Sequence, residues 1–197
     1  MLDLASKGSP VKAEAGYWLF RLGTGTWKEF NLMAELKKRG IYDPAKIVVN
    51  PIAAPAPKGK PSFTPAEALA LKGDAAKGKT TLMRCIMCHQ IEGNGPNYGP
   101  FLKGWGQTQT KEVIARSIID PAADIAHGFG GYTVLLKDGK EVQGLIISDA
   151  DPVIVKSTGG VSQMIPRNRV KSIKPMKHSL MLSADQLGLK AQDVADI

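Results

Sequence analysis

The chain has 197 residues, 43% of them hydrophobic, and carries a formal charge of +8 from 26 basic and 18 acidic side chains. That length admits one large domain, or a compact domain with an appendage. No stretch approaches the roughly 20 apolar residues that a membrane-spanning helix needs. The basic residues are dispersed, which argues against dedicated nucleic-acid recognition and for solvation or an acidic partner.

Residues 12–22 and 27–39 read as two short helices. Trp18, Leu19 and Leu22 share one face of the first, and Phe30, Met33 and Leu36 one face of the second. Gly23-Thr24-Gly25-Thr26 separates them, and Gly40 ends the second. Two such helices bury too little surface to fold alone. Residues 1–50 are therefore expected to be an N-terminal helical segment, either packed on the next domain or the tail of a preceding one. The first twenty residues lack a basic stretch followed by an apolar core, so either a signal has been removed or, the favoured expectation, the chain is a piece of something longer. Pro51, Pro55, Pro57 and Pro61 make residues 51–62 a stiff, extended linker.

A second domain is expected over 63–197. Thr64 is placed to cap a helix with Pro65 at its first position and Glu67 completing a capping box. Gly73 stops that helix, and Asp74 caps another that runs into Cys85-Ile86-Met87-Cys88-His89. This C-x-x-C-H spacing has a mechanical reason: two thiols three positions apart can each add across a vinyl group of one haem, while the adjacent histidine binds iron. The chain holds no other cysteine, so a structural zinc site lacks its four ligands. A thioredoxin-like redox pair expects a strand before the motif and a βαβ context after it, and neither is present. Residues 93–100, Gly-Asn-Gly-Pro-Asn-Tyr-Gly-Pro, form an irregular wrap that can bring backbone close to a flat cofactor. Thr110 then caps a helix with an apolar stripe of Val113, Ile114, Ile118 and Ile119, ended by Pro121.

From Gly131 the hydrophobic period changes to two. Residues 132–136, 142–147, 153–155, 161–165 and 170–173 read as five short strands, the first pair joined at Asp138-Gly139. They suggest a small, strongly curved antiparallel sheet or barrel over 131–175. A last helical pattern opens at Ser183, with Leu187, Val194 and Ile197 apolar.

An electron-transfer haem takes methionine or histidine as its second axial ligand. The candidates after His89 are His127, Met164, Met176, His178 and Met181. Met164 alternates within a strand and reads as sheet core, and a lone histidine beside Gly128 is commonly a turn residue. Met181 stands on the loop just before the final helix, and a thioether there can approach the face opposite His89 if the last helix packs across the first.

Gly73-Asp74-Ala75-Ala76-Lys77-Gly78-Lys79, the Cys85–His89 pentapeptide, Tyr98-Gly99-Pro100-x-Leu102 and Ser179-Leu180-Met181 resemble the successive signatures of a class I c-type cytochrome. With Asp120-Pro121, Ile125-Ala126-His127-Gly128 and the strand-rich stretch, residues 66–197 are similar to the planctomycete-type haem-binding domains appended to larger bacterial dehydrogenase-like or hydrolase-like proteins. The resemblance implies a mainly α cytochrome c fold with an SH3-like antiparallel insert before the distal methionine. It implies one haem c held through Cys85 and Cys88, His89 and Met181 as iron ligands, Pro100 with its carbonyl near the His89 ring, and Leu102 against the cofactor. Leu82 stands where the family often carries an aromatic residue, which implies a looser contact between first and last helices.

The expected function is electron transfer without substrate turnover, the haem relaying electrons from a fused or docked dehydrogenase, in the periplasm or another extracytoplasmic space. Ile86, Met87, Leu102, Trp105 and Ile114 would supply an apolar shell that favours Fe(II). Lys77, Lys79, Arg84, Lys103 and Lys177 either ring an exposed haem edge or simply solvate the surface. The alternative is a haem enzyme or gas sensor with a labile or open sixth site and His127 as a distal acid–base group. A binding-module role for the sheet is weaker, since Tyr132 alone makes no stacking row for nucleic acid.

Overall fold

The computed structural model describes residues 2–5, 12–41, 43 and 46–197. Residues 1, 6–11, 42, 44 and 45 of the expected N-terminal segment lie outside them. The chain divides into two compact units, Met1–Val49 and Asn50–Ile197.

In the first unit α1 (Lys12–Thr24) and α2 (Leu32–Lys38) are separated by a 3-10 turn, Lys28–Phe30. Leu19 and Leu36 are buried with Ala5 and Ala15, and Leu32 and Met33 pack against them. Two residues of the expected apolar faces, Trp18 and Phe30, are exposed. Trp18 lies under the Arg21 guanidinium on the surface, 5.8 Å from it, and Phe30 falls in the 3-10 turn. Asn31, at φ +48°, resets the chain direction so that α2 starts later and turns Leu32, Met33 and Leu36 inward. Gly40, at φ +65°, ends α2 while the Ile41 N–H bonds the Leu36 carbonyl at 2.9 Å, the pattern expected of a left-handed C-terminal cap.

The second unit begins with helices whose starts are dictated by single side chains. α3 (Pro65–Leu69) has the full Thr64–Glu67 capping box, Asp74 caps α4 (Ala75–Leu82), and Thr110 caps α6 (Lys111–Ile119). A short α5 (Trp105–Thr108) precedes α6. The final pattern is broken in two. Gly188, at φ +65°, closes a single turn with the Leu189 N–H on the Ala184 carbonyl at 2.8 Å, and α7 (Ala191–Asp196) starts afresh behind it. Ala68, Ala115, Ile118, Ile119, Ala184, Leu189 and Val194 form the buried core of these helices.

The contact between α4 and α7 is set by glycine. A Cβ at Gly78 would overlap the backbone carbonyl of Asp196, and one at Gly73 that of Ala195. Main chains therefore touch where the absence of an aromatic residue at Leu82 implied a looser fit. Asp196, buried there, accepts from the Asp74 N–H at 2.9 Å and from Gln192 Nε2 at 2.7 Å. The Gln192 amide, then the Asp74 N–H, hold its carboxyl below the usual range.

The five strands are β1 (Tyr132–Leu136), β2 (Glu141–Ser148), β3 (Val153–Lys156), β4 (Ser162–Ile165) and β5 (Val170–Pro175). All pairs are antiparallel, in the order β4-β3-β2-β1-β5. The expected barrel is not closed, because no ladder joins β4 to β5 among the described residues. β2 is shared between the two halves, pairing β1 from Glu141 to Gly144 and β3 from Leu145 onward. Gly144 permits the bend by letting the Lys156 carbonyl approach where a Cβ would stand. The β1–β2 loop is longer than the two-residue hairpin: Leu136 N–H bonds the Lys140 carbonyl at 2.8 Å and only Gly139, at φ +87°, is left-handed. That is a type I turn followed by a glycine bulge. At the sheet's base the Met176 N–H bonds the Gly131 carbonyl at 2.8 Å, so the chain leaves and re-enters the helical part at one point.

The proline-rich segment behaves differently from a free linker. Ile52 pairs with Val142 of β2, the Ala54 N–H bonds Gln143 Oε1 at 2.7 Å, and Asn50 exchanges two bonds with the Gln163 side-chain amide. Proline lacks a donor and suits an edge. A segment alternating Pro with bonding residues can thus lie along β2 and still stay extended.

Candidate functional site

The C-x-x-C-H segment follows α4 as a 3-10 turn, Cys85–Met87, and the Cys88 and His89 N–H groups both bond the Cys85 carbonyl at 3.1 and 2.9 Å. The tight turn faces Cys88 and His89 into a cavity of about 270 Å³. Cys85, half-buried at the other end of the turn, does not line it. Burial pushes both thiols up, and at Cys85 the neighbouring Cys88 adds to the effect.

His89 is buried. Its Nδ1–H donates to the Pro100 carbonyl oxygen at 2.6 Å. A carbonyl only accepts, so the proton sits on Nδ1 and the Nε2 lone pair is left for a metal. Gly99 lies flat against the ring: a Cβ there would stand 2.6 Å from Cε1 and 2.8 Å from Nδ1. The wrap is itself pinned to the motif, the Tyr98 and Gly99 N–H groups both bonding the Cys88 carbonyl, at 3.2 and 2.7 Å. Burial raises the Tyr98 phenol above its usual range.

The remaining walls come from Leu102, Trp105 and Val113 on one side and from Leu145, Leu180 and Met181 on another. Met181 is partly buried and also packs against the helical core; its N–H bonds Ser179 Oγ at 3.0 Å. The other candidates for a second ligand are elsewhere. His127 is exposed, while Met164 and His178 are partly buried, and none of these three lines the cavity. Met176 does not line the cavity either, but it packs against Tyr98, Leu145 and Leu180, which do.

Of the expected shell, Leu102 and Trp105 line the cavity, whereas Ile86, Met87 and Ile114 do not. The 3-10 turn carries Met87 outward, where it is 60% exposed, and Ile114 joins the helical core. Other lining residues, Val113, Phe129 and Leu145 among them, were not in the expected shell. Val113 lines the cavity where its neighbour Ile114 was expected, and Leu145 reaches in from β2, so the sheet contributes to the crevice. All five expected basic residues are exposed, but Lys77 pairs with Asp74 at 3.7 Å and Arg84 donates to the Leu187 carbonyl at 3.0 Å.

The donor set suits an iron porphyrin. An imidazole held through Nδ1 with its Nε2 unbonded, two thiols one turn apart, an apolar wall and a soft thioether share one region. Among the described residues no three of His, Cys, Asp and Glu gather into a metal cluster. No helix among them is long and apolar enough to cross a membrane. No curated protein matches the chain. Residues 75–151 do match the family model Cytochrome c, a span that includes Cys85, Cys88, His89, Pro100 and Leu102 but ends before Met181, and the match indicates a haem-binding electron-transfer module with covalently bound haem c.

Proposed function

We propose that residues 63–197 form a single-haem electron-transfer domain of the planctomycete type, with His89 and Met181 as axial ligands and residues 131–175 as an SH3-like insert. The observation that carries it is that His89, with its Nε2 free, and Met181 line one cavity while His127 and His178 do not. Cys85 and Cys88 would form the two thioether bonds, each S–H adding across a vinyl double bond. When bound, the haem supplies a one-electron Fe(III)/Fe(II) couple. The Pro100 carbonyl orients the imidazole and raises its basicity. Leu102, Trp105, Val113 and Leu145 exclude water, which favours the less charged iron state. Strand order and the 3-10 turn Arg167–Arg169 between β4 and β5 support the SH3-like reading.

Electron exchange with an acidic redox protein, or with a fused dehydrogenase-like domain in an extracytoplasmic compartment, follows from the same chemistry. Exposed Lys79, Lys103 and Lys177 would steer a docked partner. A second reading, a haem with a labile sixth site, is favoured by one observation. A further cavity of about 620 Å³ borders Met181, which leaves the thioether room to move.

Optical spectroscopy of the holoprotein tests the assignment. Haem should stay on the polypeptide through acid–acetone extraction, and the ferric form should show a methionine–iron charge-transfer band. Met181→Ala should abolish that band and lower the potential, because a soft ligand preferring Fe(II) is gone. Retention of the band in Met181→Ala, or its loss in His127→Ala or His178→Ala, would overturn the ligand assignment.

A further inference from the structure

Met181 lies between two cavities. One contains His89; the other, of about 620 Å³, is lined by residues 55–61 together with Met181, Leu182, Ser183, Asp185 and Gln186. Met181 packs against the helical core and also borders both cavities, so its packing is incomplete. The loop that carries it is further tied down by hydrogen bonds to the proline-rich segment. Gln186 Nε2 donates to the Pro55 carbonyl at 3.0 Å. The Ser62 N–H donates to Asp185 at 2.9 Å, and the Ser62 hydroxyl donates to the same carboxylate. Gln186 also accepts from the Ser183 N–H at 3.0 Å, so one side chain joins the strap to the turn directly after Met181.

The strap's other end is anchored to the sheet. Asn50 exchanges two bonds with Gln163, Ile52 pairs with Val142, and the Ala54 N–H bonds Gln143. Between these anchors Pro55 and Pro57 have fixed φ, and residues 50–58 contain no glycine, so the stretch from the sheet anchors to the Pro55–Gln186 bond is extended and stiff. Gly59, at φ +82°, bends the chain before Ser62, which makes the Asp185 bond a second, separate tie. A stiff stretch held at both ends transmits position.

We propose that residues 50–62 are a positioning strap for the distal ligand, with Gln186 and Asp185 as the positioning residues that hold Met181 toward the His89 side. The inference rests on Met181 being the ligand. It assigns to the strap the choice between a methionine-ligated iron and one open to exogenous ligands.

Gln186→Glu is the sharpest test, since it keeps the acceptor for Ser183 but cannot donate to Pro55. It is compared with Asp185→Ala, with Gln163→Ala at the far anchor, and with Met181→Ala, all as full-length holoprotein. The readouts are the charge-transfer band, the potential and the affinity for imidazole as a sixth-ligand probe, measured where circular dichroism shows a folded protein. Loss of one hydrogen bond should tighten imidazole binding about fivefold, and the Gln186→Glu, Asp185→Ala double variant should tighten it further and weaken the band. Gln163→Ala should act in the same direction from the sheet end. A strap that is merely structural would lower the melting temperature of these variants and leave band, potential and imidazole affinity unchanged; that result overturns the proposal. If Met181→Ala also leaves them unchanged, the ligand assignment falls and the strap's role falls with it.

Discussion

Gly99→Ala should damage the packing around the His89 ring, because its Cβ would overlap the imidazole itself. Gly99 is not in the left-handed region, so the effect is steric. The added carbon would stand 2.6 Å from Cε1, 2.8 Å from Nδ1 and 2.9 Å from Nε2. A carbon–carbon contact wants about 3.5–4.0 Å, so ring and backbone must separate by about 1 Å. Either movement costs the same bond: the ring leaves Pro100, or the 99–100 backbone takes the Pro100 carbonyl with it. The 2.6 Å contact is thereby lost, and overpacking of this kind costs about 1–3 kcal/mol. Loss of such a carbonyl partner typically weakens metal binding by about 10–100-fold. The assay is holoprotein yield, potential and thermal unfolding of Gly99→Ala against Gly106→Ala. A Cβ at Gly106 meets nothing within 4 Å, so that control should be neutral or slightly stabilising, since alanine favours helix over glycine by up to about 1 kcal/mol. If the two variants behave alike, the reasoning about ring contact is wrong.

Gly78→Ala should prevent or severely weaken the α4–α7 crossing, because its Cβ meets a carbonyl that no side-chain rotation can move; an unfolding midpoint equal to wild type would contradict this. Leu145→Ala should cost about 2–5 kcal/mol, as expected for a buried leucine, and should also alter the haem spectrum because Leu145 lines the cavity. Asp196 gives a pH dependence with a definite sign. Its folded carboxyl is held down by Gln192 and the Asp74 N–H. Its contribution is therefore present above the unfolded value of about 3.9 and is lost as pH falls through the lower folded value. Asp196→Asn should flatten the fall in melting temperature in acid, and unchanged acid sensitivity would count against that.

What could be read from the sequence was local chemistry. Thr64, Asp74 and Thr110 announce helix starts because a cap needs only a side chain and the next three residues. The C-x-x-C-H turn is equally self-contained, and so are the strand runs with their alternating burial. Depth was not legible. Gly78 and Gly99 look like any other glycines until a second backbone or a ring is placed against them. Trp18 and Phe30 were given apolar helix faces by periodicity but are exposed; at Phe30 the left-handed Asn31 that follows starts α2 in a new phase. The strap was the least readable element. A proline-rich run has the same composition whether it hangs free or is fastened. The amides that fasten it, from Gln143, Gln163 and Gln186, are 89, 113 and 131 residues away.

The bond between Met176 and Gly131 bears on the order in which the molecule assembles. In an unfolded chain Met181 trails His89 by 92 residues. Zipping β1 to β5 removes the intervening excursion and leaves a contour about half as long. The entropic saving is small, about 0.6 kcal/mol for a halved loop, but antiparallel closure between distant strands is slow compared with helix formation. The helices on the histidine side can therefore mature early, while the Ser179-Leu180-Met181 loop waits on the sheet. Refolding followed at the methionine band should lag refolding followed by helical circular dichroism, with the lag set by β1–β5 pairing. A variant that slows that pairing should lengthen the lag and leave the helical phase untouched.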